Sequence, residues 1–219
     1  RRALASALST RAAARGFALV VPGKLHLPDG MLRSIEPIAT KAELADWKAI
    51  DESIGEPEQR AFTALRDALA ASVERHEVQH RLDARRPAIM PKALADRVGP
   101  LADDGHERRH AVAARAELSA YLAELARDAR TGRSGLGAVA RFAFDRRQQG
   151  IPECYAAIVI LEGLADALGA PHDAPLIAGG KVDRRAAARL YLARASEPPE
   201  RLRDAAKRLW EQLFAAALP

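Results

Sequence analysis

The sequence is poor in cysteine and in aromatic residues. Cys154 is the only cysteine among 219 residues, which excludes an internal disulfide bond and a cysteine-rich metal cluster. Phe, Trp and Tyr make up only 5% of the chain, whereas apolar residues as a whole make up 48%. The hydrophobic core must therefore consist mainly of Ala, Leu, Val and Ile, a composition that suits closely packed helices.

Long apolar runs are also missing. No stretch approaches the roughly 20 apolar residues that a membrane-spanning helix needs, so we expect a soluble chain without a transmembrane segment. The chain begins with Arg1 rather than Met, and we expect that it was trimmed from a longer precursor. Its first residues, RRALASALSTRAAARG, are basic like a targeting segment but lack a continuous apolar stretch, and we expect a helix there.

The charge balance is basic, with a formal net charge of +5, so nucleic acid has to be considered as a partner. Basic residues alternate with Asp and Glu along the predicted helix faces, however, and no basic run is interleaved with aromatic residues that could stack on bases. These features are typical of a solvated, arginine-rich surface. We therefore do not expect nucleic acid as a partner, and keep an arginine-rich nucleic-acid binder only as a third hypothesis.

Hydrophobic periodicity predicts a mainly α (α+β) fold, a helical domain with a small N-terminal β element. The β element consists of two short strands, Phe17–Val21 and Lys24–Leu27, separated by Pro22-Gly23. At most one short helix is expected between Pro87 and Pro100. The longer helices are predicted from the capping box Thr40–Glu43 toward Ile50, from Pro57 through His80, from Asp103 or Asp104 to about Arg130, over Ala138–Gln149, over Pro152–Gly169, near Arg184–Ala195 and over Glu200–Leu218.

Two further expectations concern how these elements are organised. Gly132, Gly135 and Gly137 are predicted to break the helix before Ala138, whereas Pro152–Gly169, apolar nearly all round, is predicted to be a buried central helix. Residues 1–219 are expected to form a single domain, divisible into sub-lobes 1–100 and 101–219.

Two segments have the form HExxH. The first, HEVQH, spans His76–His80, and the second, HERRH, spans His106–His110. Residues four apart on a helix lie on one face, so both imidazoles can bind one tetrahedral Zn²⁺ at about 2.0–2.1 Å. The Glu between them lies beside the open coordination position, where it can take a proton from a water molecule activated by the ion.

The surroundings favour the first copy. HEVQH lies deep in a long amphipathic helix, and its inner residues Val78 and Gln79 carry no charge, so the helix can be buried beside a metal. HERRH follows Asp103-Asp104-Gly105 and is predicted to occupy the first turn of a helix. Its inner residues are two arginines, which are electrostatically unfavourable beside a dication. We therefore predict a zinc site at the first copy and ordinary surface histidines at the second.

The segment SVERHEVQHRLD resembles the active-site helix of the zincin zinc metallopeptidases, whose HExxH motif is flanked by uncharged positions. The resemblance covers about twelve residues and a candidate third ligand. It implies a zincin-like fold in which His76 and His80 bind zinc and Glu77 is the general base. Because RLDARRP after His80 lacks the Gly and third His of the metzincins, the resemblance is to the branch whose third ligand is a Glu on a later helix.

Glu117 is the preferred third ligand. It lies 37 residues beyond His80 on the next long helix, which most easily packs against the zinc helix. It also belongs to a polar stripe at helical spacing, formed by His110, Glu117, Tyr121 and Glu124.

Glu162 is the alternative third ligand. It lies on the most apolar helix of the chain, where a carboxylate is costly unless it is paired or bound to metal. The segment from Glu162 to Asp166, EGLAD, is similar to segments that carry the third ligand in some glutamate zincins, but its distance of 82 residues from His80 is longer than usual there. If Glu117 is the ligand, Glu162 is expected to be a buried acid that holds an arginine or a ligand histidine.

Further residues have candidate roles near such a site. Tyr121, His110 and Tyr155 are candidates for stabilising the transition state. Asp83, three residues beyond His80, is a candidate partner for an imidazole N–H. His26 is expected to face solvent, and its strand could bind an extended peptide by β-augmentation if it lies at a sheet edge.

The sequence thus predicts a zinc-dependent metallopeptidase with a peptide or protein substrate. Zinc would be held by His76, His80 and Glu117, while Glu77 would act as general base with Tyr121 and His110 as further catalytic candidates. The alternative is a non-catalytic helical interaction module with a structural metal or none. Substrate specificity, compartment and oligomeric state are not predicted.

Overall fold

The computed structural model describes residues 7–8, 10–11, 14, 39–53, 55–85, 89–103, 106–127, 129–170, 172, 174–178 and 181–218. Its helices are α1 (Lys41–Glu52), α2 (Glu56–Asp83), α3 (Lys92–Val98), α4 (Arg109–Arg127), α5 (Ala129–Phe144), α6 (Pro152–Ala167), α7 (Arg184–Ala195) and α8 (Pro199–Phe214), with a 3-10 turn at Arg146–Gln148. The described strands form two short antiparallel hairpins, β1 (Ala102–Asp103) with β2 (His106–Glu107), and β3 (Ile177–Ala178) with β4 (Lys181–Val182). The predicted mainly α fold is confirmed, whereas the predicted N-terminal strands and His26 lie outside the described residues.

The chain divides into two compact units, Arg1–Asp67 and Ala68–Pro219, so that the boundary falls within α2. The predicted metal-binding residues all belong to the second unit, whereas the predicted sub-lobe boundary lies near residue 100. That the whole chain is a single catalytic domain stays a prediction. Within the described parts of the chain, no helix combines the length and the apolar character that crossing a bilayer requires.

In the first unit, the predicted capping box at the start of α1 is confirmed. The backbone N–H of Thr40 donates to Glu43 Oε2 at 2.9 Å, and the backbone N–H of Glu43 donates to Thr40 Oγ1 at 3.3 Å. Arg11 also pairs with the Glu43 carboxylate. Two of the N–H groups that a helix start leaves without an intrahelical partner are therefore satisfied by side chains.

We expect the stability contributed by this cap to be lost in acid. The backbone N–H of Thr40 and the side chain of Arg11 lower the pKa of Glu43 from 4.5 to about 2. Because the folded-state pKa is depressed, the contribution is fully present above about pH 4.5 and is lost as the pH falls through about 2. The measurement is an NMR titration of the Glu43 carboxyl carbon in wild type and in Arg11→Ala, which removes one of the two main causes of the depressed pKa.

Thr40→Ala should also lower the free energy of unfolding at neutral pH by about 1 kcal/mol, because one N–H loses its acceptor. Its Glu43 pKa should stay depressed, because the backbone N–H of residue 40 and the side chain of Arg11 are both retained, whereas Arg11→Ala should move that pKa back toward 4.5. An unchanged titration in Arg11→Ala would show that Arg11 does not hold the carboxylate.

In the second unit, α6 is the buried central helix that the sequence predicts. It begins at Pro152, whose missing N–H is tolerated in a first turn, and every residue from Ala156 to Leu161 is buried. α6 packs against α4, α5, α7 and α8. Gly163 allows α8 to approach closely, since an added Cβ would lie 2.4 Å from Leu209 Cδ1. The core of the second unit is thus built around α6. Helix α4 packs against α6 and also carries Glu117 of the predicted site.

The prediction that glycines break the chain before Ala138 is wrong, because Gly132, Gly135 and Gly137 all lie inside α5. Two of them, Gly135 and Gly137, allow close packing. A Cβ on Gly135 would lie 3.0 Å from Glu124 Oε1, and a Cβ on Gly137 would lie 3.2 Å from the Tyr191 hydroxyl. The tertiary contacts of α5 therefore outweigh the roughly 1 kcal/mol by which each glycine disfavours a helix.

Candidate metal centre

The second half of α2 presents His76 and His80 on one face, toward Glu117 of α4. The two Nε2 atoms lie 3.1 Å apart. His76 Nε2 is 3.7 Å from Glu117 Oε2, and His80 Nε2 is 3.7 Å from Glu117 Oε1. These three side chains could hold a metal ion, and among the described residues they form the one such group of His, Cys, Asp or Glu side chains. The structure thus brings together the three residues that the sequence predicts as ligands.

The donors and their spacing can be compared with those of a tetrahedral zinc site. Ligand atoms about 2.0–2.1 Å from a tetrahedral zinc are about 3.3–3.4 Å from one another. The two imidazole Nε2 atoms, 3.1 Å apart, are near that separation, and each lies 3.7 Å from a different oxygen of the Glu117 carboxylate. Two imidazoles and one carboxylate are donors that suit zinc, and three protein ligands would leave one position open. The donor set therefore suits the ion, and its atoms lie close enough together to hold one.

The pKa values of these three side chains depend on burial and on one another's charges. Burial of its ring lowers the pKa of His76, but neighbouring carboxylates, first among them Glu124, raise it above the ordinary value of 6.5. For His80, burial and the charge of His76 lower the pKa. Burial raises the pKa of Glu117, against the effect of His76. Binding of a cation would require both imidazoles and the carboxyl group to give up any proton on their ligand atoms.

Glu77 lies on the exposed side of α2 between the two histidines. Its charge is one of the contributions that raise the pKa of His76 and Glu117, and it partly offsets the lowering of the His80 pKa. The carboxylate is therefore electrostatically close to all three candidate ligands while remaining exposed to solvent.

Tyr121 lies one helical turn beyond Glu117, and its ring centroid is 4.6 Å from that of His76. Burial of the phenol and the charges of nearby carboxylates raise the pKa of Tyr121 to about 12. The hydroxyl therefore stays protonated at neutral pH and is available as a hydrogen-bond donor. Its predicted role in stabilising the transition state stays a prediction.

His110 lies two helical turns before Glu117 on α4, which separates the two by about 10 Å along the helix axis. The exposed His110 ring contacts Tyr155 edge to face, with the centroids 5.5 Å apart. The structure thus pairs these two candidates with each other, and their catalytic roles stay predictions.

The prediction that HERRH lies in the first turn of a helix is wrong. His106 pairs with Asp103 across the β1–β2 hairpin, and α4 begins only at Arg109. His106 and His110 therefore do not share a helical face, which is a stronger reason against a zinc site here than the charge of the inner arginines. The missed signal is the dipeptide Asp104-Gly105, which is typical of two-residue hairpin connections.

Glu162, the alternative third ligand, has other partners. One carboxylate oxygen accepts the backbone N–H of Leu176 at 2.7 Å, and the other pairs with Arg97. Glu162 is 4% exposed, so both contacts lie in a buried environment. Glu162 is thus a buried acid that pairs with an arginine, as the sequence suggested for the case in which Glu117 is the ligand. The neighbouring Gly163 allows the close approach of α8.

Replacing each acid with Ala should separate the two roles. Glu117→Ala should lower zinc affinity by at least about 100-fold, because one of three protein ligands is lost. Glu162→Ala should leave zinc affinity unchanged but lower the free energy of unfolding by about 3 kcal/mol, because the Arg97 charge loses its partner. Zinc titration and chemical denaturation of both variants measure this. Zinc loss in Glu162→Ala alone would reverse the assignment.

Asp83, the candidate partner for an imidazole N–H, acts on His80 through its charge and has hydrogen-bond partners of its own. It accepts a hydrogen bond from Gln79 Nε2 at 2.8 Å and another from the hydroxyl of Ser119, while Arg115 Nη1 lies 3.9 Å away. These buried polar groups join α2 to α4 one turn beyond His80. Through these contacts Asp83 helps to hold the second half of α2 against α4.

Glu124 is the residue at this site to which sequence reasoning assigned no role. It is buried, and its Oε2 lies 3.6 Å from His76 Nδ1, on the side of the ring away from Glu117. The signal was its place in the α4 stripe, seven residues after Glu117, but nothing local connects it with His76.

Comparison with protein-family models, with curated proteins and with solved structures finds no match to this chain. Any function must therefore be inferred from the residues of the site itself. A function can be inferred from two observations: two imidazoles and a carboxylate that could hold a metal ion, and an exposed Glu between the two histidines in the sequence.

Proposed function

We propose that this chain is a zinc-dependent metallopeptidase of the zincin type. The observation that carries the proposal is the convergence of His76, His80 and Glu117 at distances of 3.1–3.7 Å, with Glu77 on the open side. Helical spacing alone puts the two histidines together. Only the packing of α4 against them adds the carboxylate that a catalytic three-ligand site needs.

Zinc at these residues would supply a Lewis acid that acidifies a water molecule and polarises a peptide carbonyl. Side chains of the protein would carry out the proton transfers and stabilise the developing charge. Glu77 takes a proton from the attacking water and delivers it to the leaving amine. Tyr121, with its protonated hydroxyl beside His76, donates a hydrogen bond to the oxygen on which negative charge develops.

A structural metal is the second candidate, favoured by the composition of the inward face of α2. Across residues 68–83 the buried side chains are Ser72 and Gln79, and no apolar side chain is fully buried. A metal that joins α2 to α4 would therefore also stabilise the unit without catalysis. The two candidates differ in what they require of Glu77, since a structural site does not need a general base.

The test is metal content measured alongside hydrolysis of a mixed peptide pool. The purified chain should bind about one equivalent of zinc and gain thermal stability from it. It should cleave peptides, lose this activity to a chelator and regain it with zinc. A chain that holds no zinc and gains no stability when zinc is supplied overturns the proposal. Stoichiometric zinc without any hydrolysis supports the structural metal.

A further inference from the structure

We propose that Glu124 is the positioning residue of the metal centre and that it fixes the ring of His76 through Nδ1. Ser72 and Gly135 in turn fix the Glu124 carboxylate. The inference rests on the proposed metal site, and it adds a role for a buried acid that neither binds the metal nor faces the substrate.

The two ring nitrogens of His76 face different groups. Nε2 lies 3.1 Å from His80 Nε2 and 3.7 Å from Glu117 Oε2, whereas Nδ1 lies 3.6 Å from Glu124 Oε2. A neutral imidazole carries one proton, and a carboxylate can only accept. Glu124 therefore favours the proton on Nδ1 and leaves the lone pair of Nε2 directed toward the candidate metal position.

Glu124 is itself held by a hydrogen bond from α2. The hydroxyl of Ser72, one turn before His76 on α2, donates to Glu124 Oε1 at 3.0 Å, and Thr131 Oγ1 lies 3.3 Å from that hydroxyl. All three side chains are buried. A buried carboxylate is costly without hydrogen bonds, so this arrangement restricts the acid to one orientation.

Gly135 of α5 completes the arrangement. A Cβ at this position would lie 3.0 Å from Glu124 Oε1 and 3.3 Å from Leu125 Cδ2. Any larger residue would press on the carboxylate that Ser72 holds. Glycine is unfavourable in a helix interior, and its presence at position 135 is explained by the space that the Glu124 side chain occupies.

The role follows from how histidine ligands generally work. A carboxylate on the far ring nitrogen orients the ring, selects its tautomer and raises its basicity toward the metal, and its removal typically lowers metal affinity by about 10–100-fold. Glu124 contacts the first histidine of HEVQH in this way, from the same helix that supplies Glu117. One helix, α4, would then supply both a ligand and the group that orients another ligand.

The experiment compares Glu124→Gln, Ser72→Ala and, as a matched control, Glu162→Gln in the full chain. The readouts are zinc affinity by competition with a chromogenic chelator, thermal midpoint of the zinc-free protein, and the His76 tautomer by ¹⁵N NMR of the zinc-free protein in alkaline buffer. Glu124→Gln should lower zinc affinity by about 10–100-fold. Its zinc-free midpoint should not fall, because a desolvated charge has been removed. Ser72→Ala should lower zinc affinity by about threefold to tenfold.

The control should show the opposite pattern, with a lower zinc-free midpoint from the unpaired Arg97 and unchanged zinc affinity. In the wild type, NMR should show the proton on His76 Nδ1, and Glu124→Gln should reduce that population. Zinc affinity within about threefold of wild type in Glu124→Gln, or an unchanged tautomer, overturns the inference while leaving the metallopeptidase proposal intact. If the wild type binds no zinc, the proposed function fails, and the NMR measurement alone still decides whether Glu124 orients His76.

Discussion

Replacing Glu77 with Gln will leave about one equivalent of zinc bound but lower peptide hydrolysis by about 10²–10⁴-fold, the usual contribution of a general base. Gln has nearly the same size and is exposed at this position, so the fold and the three ligands should be undisturbed. It cannot, however, take a proton from water. The effect should therefore appear in kcat, with zinc affinity and thermal midpoint close to those of the wild type.

Two comparisons make this prediction specific. Glu74→Gln changes another exposed Glu on the same helix, one whose charge is not among the main causes that shift the pKa of His76 or His80, and it should retain activity. His76→Ala should lose zinc and activity together. Full activity in Glu77→Gln would rule out the proposed general base, and equal loss in Glu74→Gln would show that the effect is only one of surface charge.

Removing the metal should loosen the second half of α2 while the bundle around α6 remains folded. Helix α8 is anchored by buried Leu209, Trp210 and Phe214, whereas residues 68–83 bury only Ser72 and Gln79 completely. Polar contacts add little net stability to folding because water competes for them. We therefore expect zinc to contribute a large part of the free energy that keeps this segment docked on α4.

Amide hydrogen exchange measures this directly. With zinc at about 1,000 times its Kd, binding adds about 4 kcal/mol, so exchange in 68–83 should slow by about 10³-fold relative to chelated protein. Exchange within α6 should change far less. His76→Ala provides the control, since zinc should then have no effect on the segment. Equal protection of 68–83 with and without metal would mean that the polar contacts suffice.

Features that depend on neighbours along the chain were predictable. Thr40 and Glu43 lie three apart, which is the separation at which a cap and its return hydrogen bond form, and both bonds are present. The apolar character of Pro152–Gly169 likewise predicts a central helix, since burial on every side leaves no place for a polar face. Two predictions from local sequence were wrong. The helix start at HERRH ignored the hairpin dipeptide Asp104-Gly105, and the break in α5 ignored that tertiary packing can override the low helix propensity of glycine.

By itself, the sequence determined that His76 and His80 share one face of a helix with Glu77 between them, because 3.6 residues per turn place i and i+4 together. Only the tertiary structure decided which glutamate joins them. Glu117 and Glu162 are both acids on later helices, and nothing in their local sequence records that one faces the imidazoles while the other pairs with Arg97. Contacts of this kind depend on how helices distant in sequence pack against one another. For the same reason, the sequence alone did not show that Glu124 lies beside Nδ1 of His76.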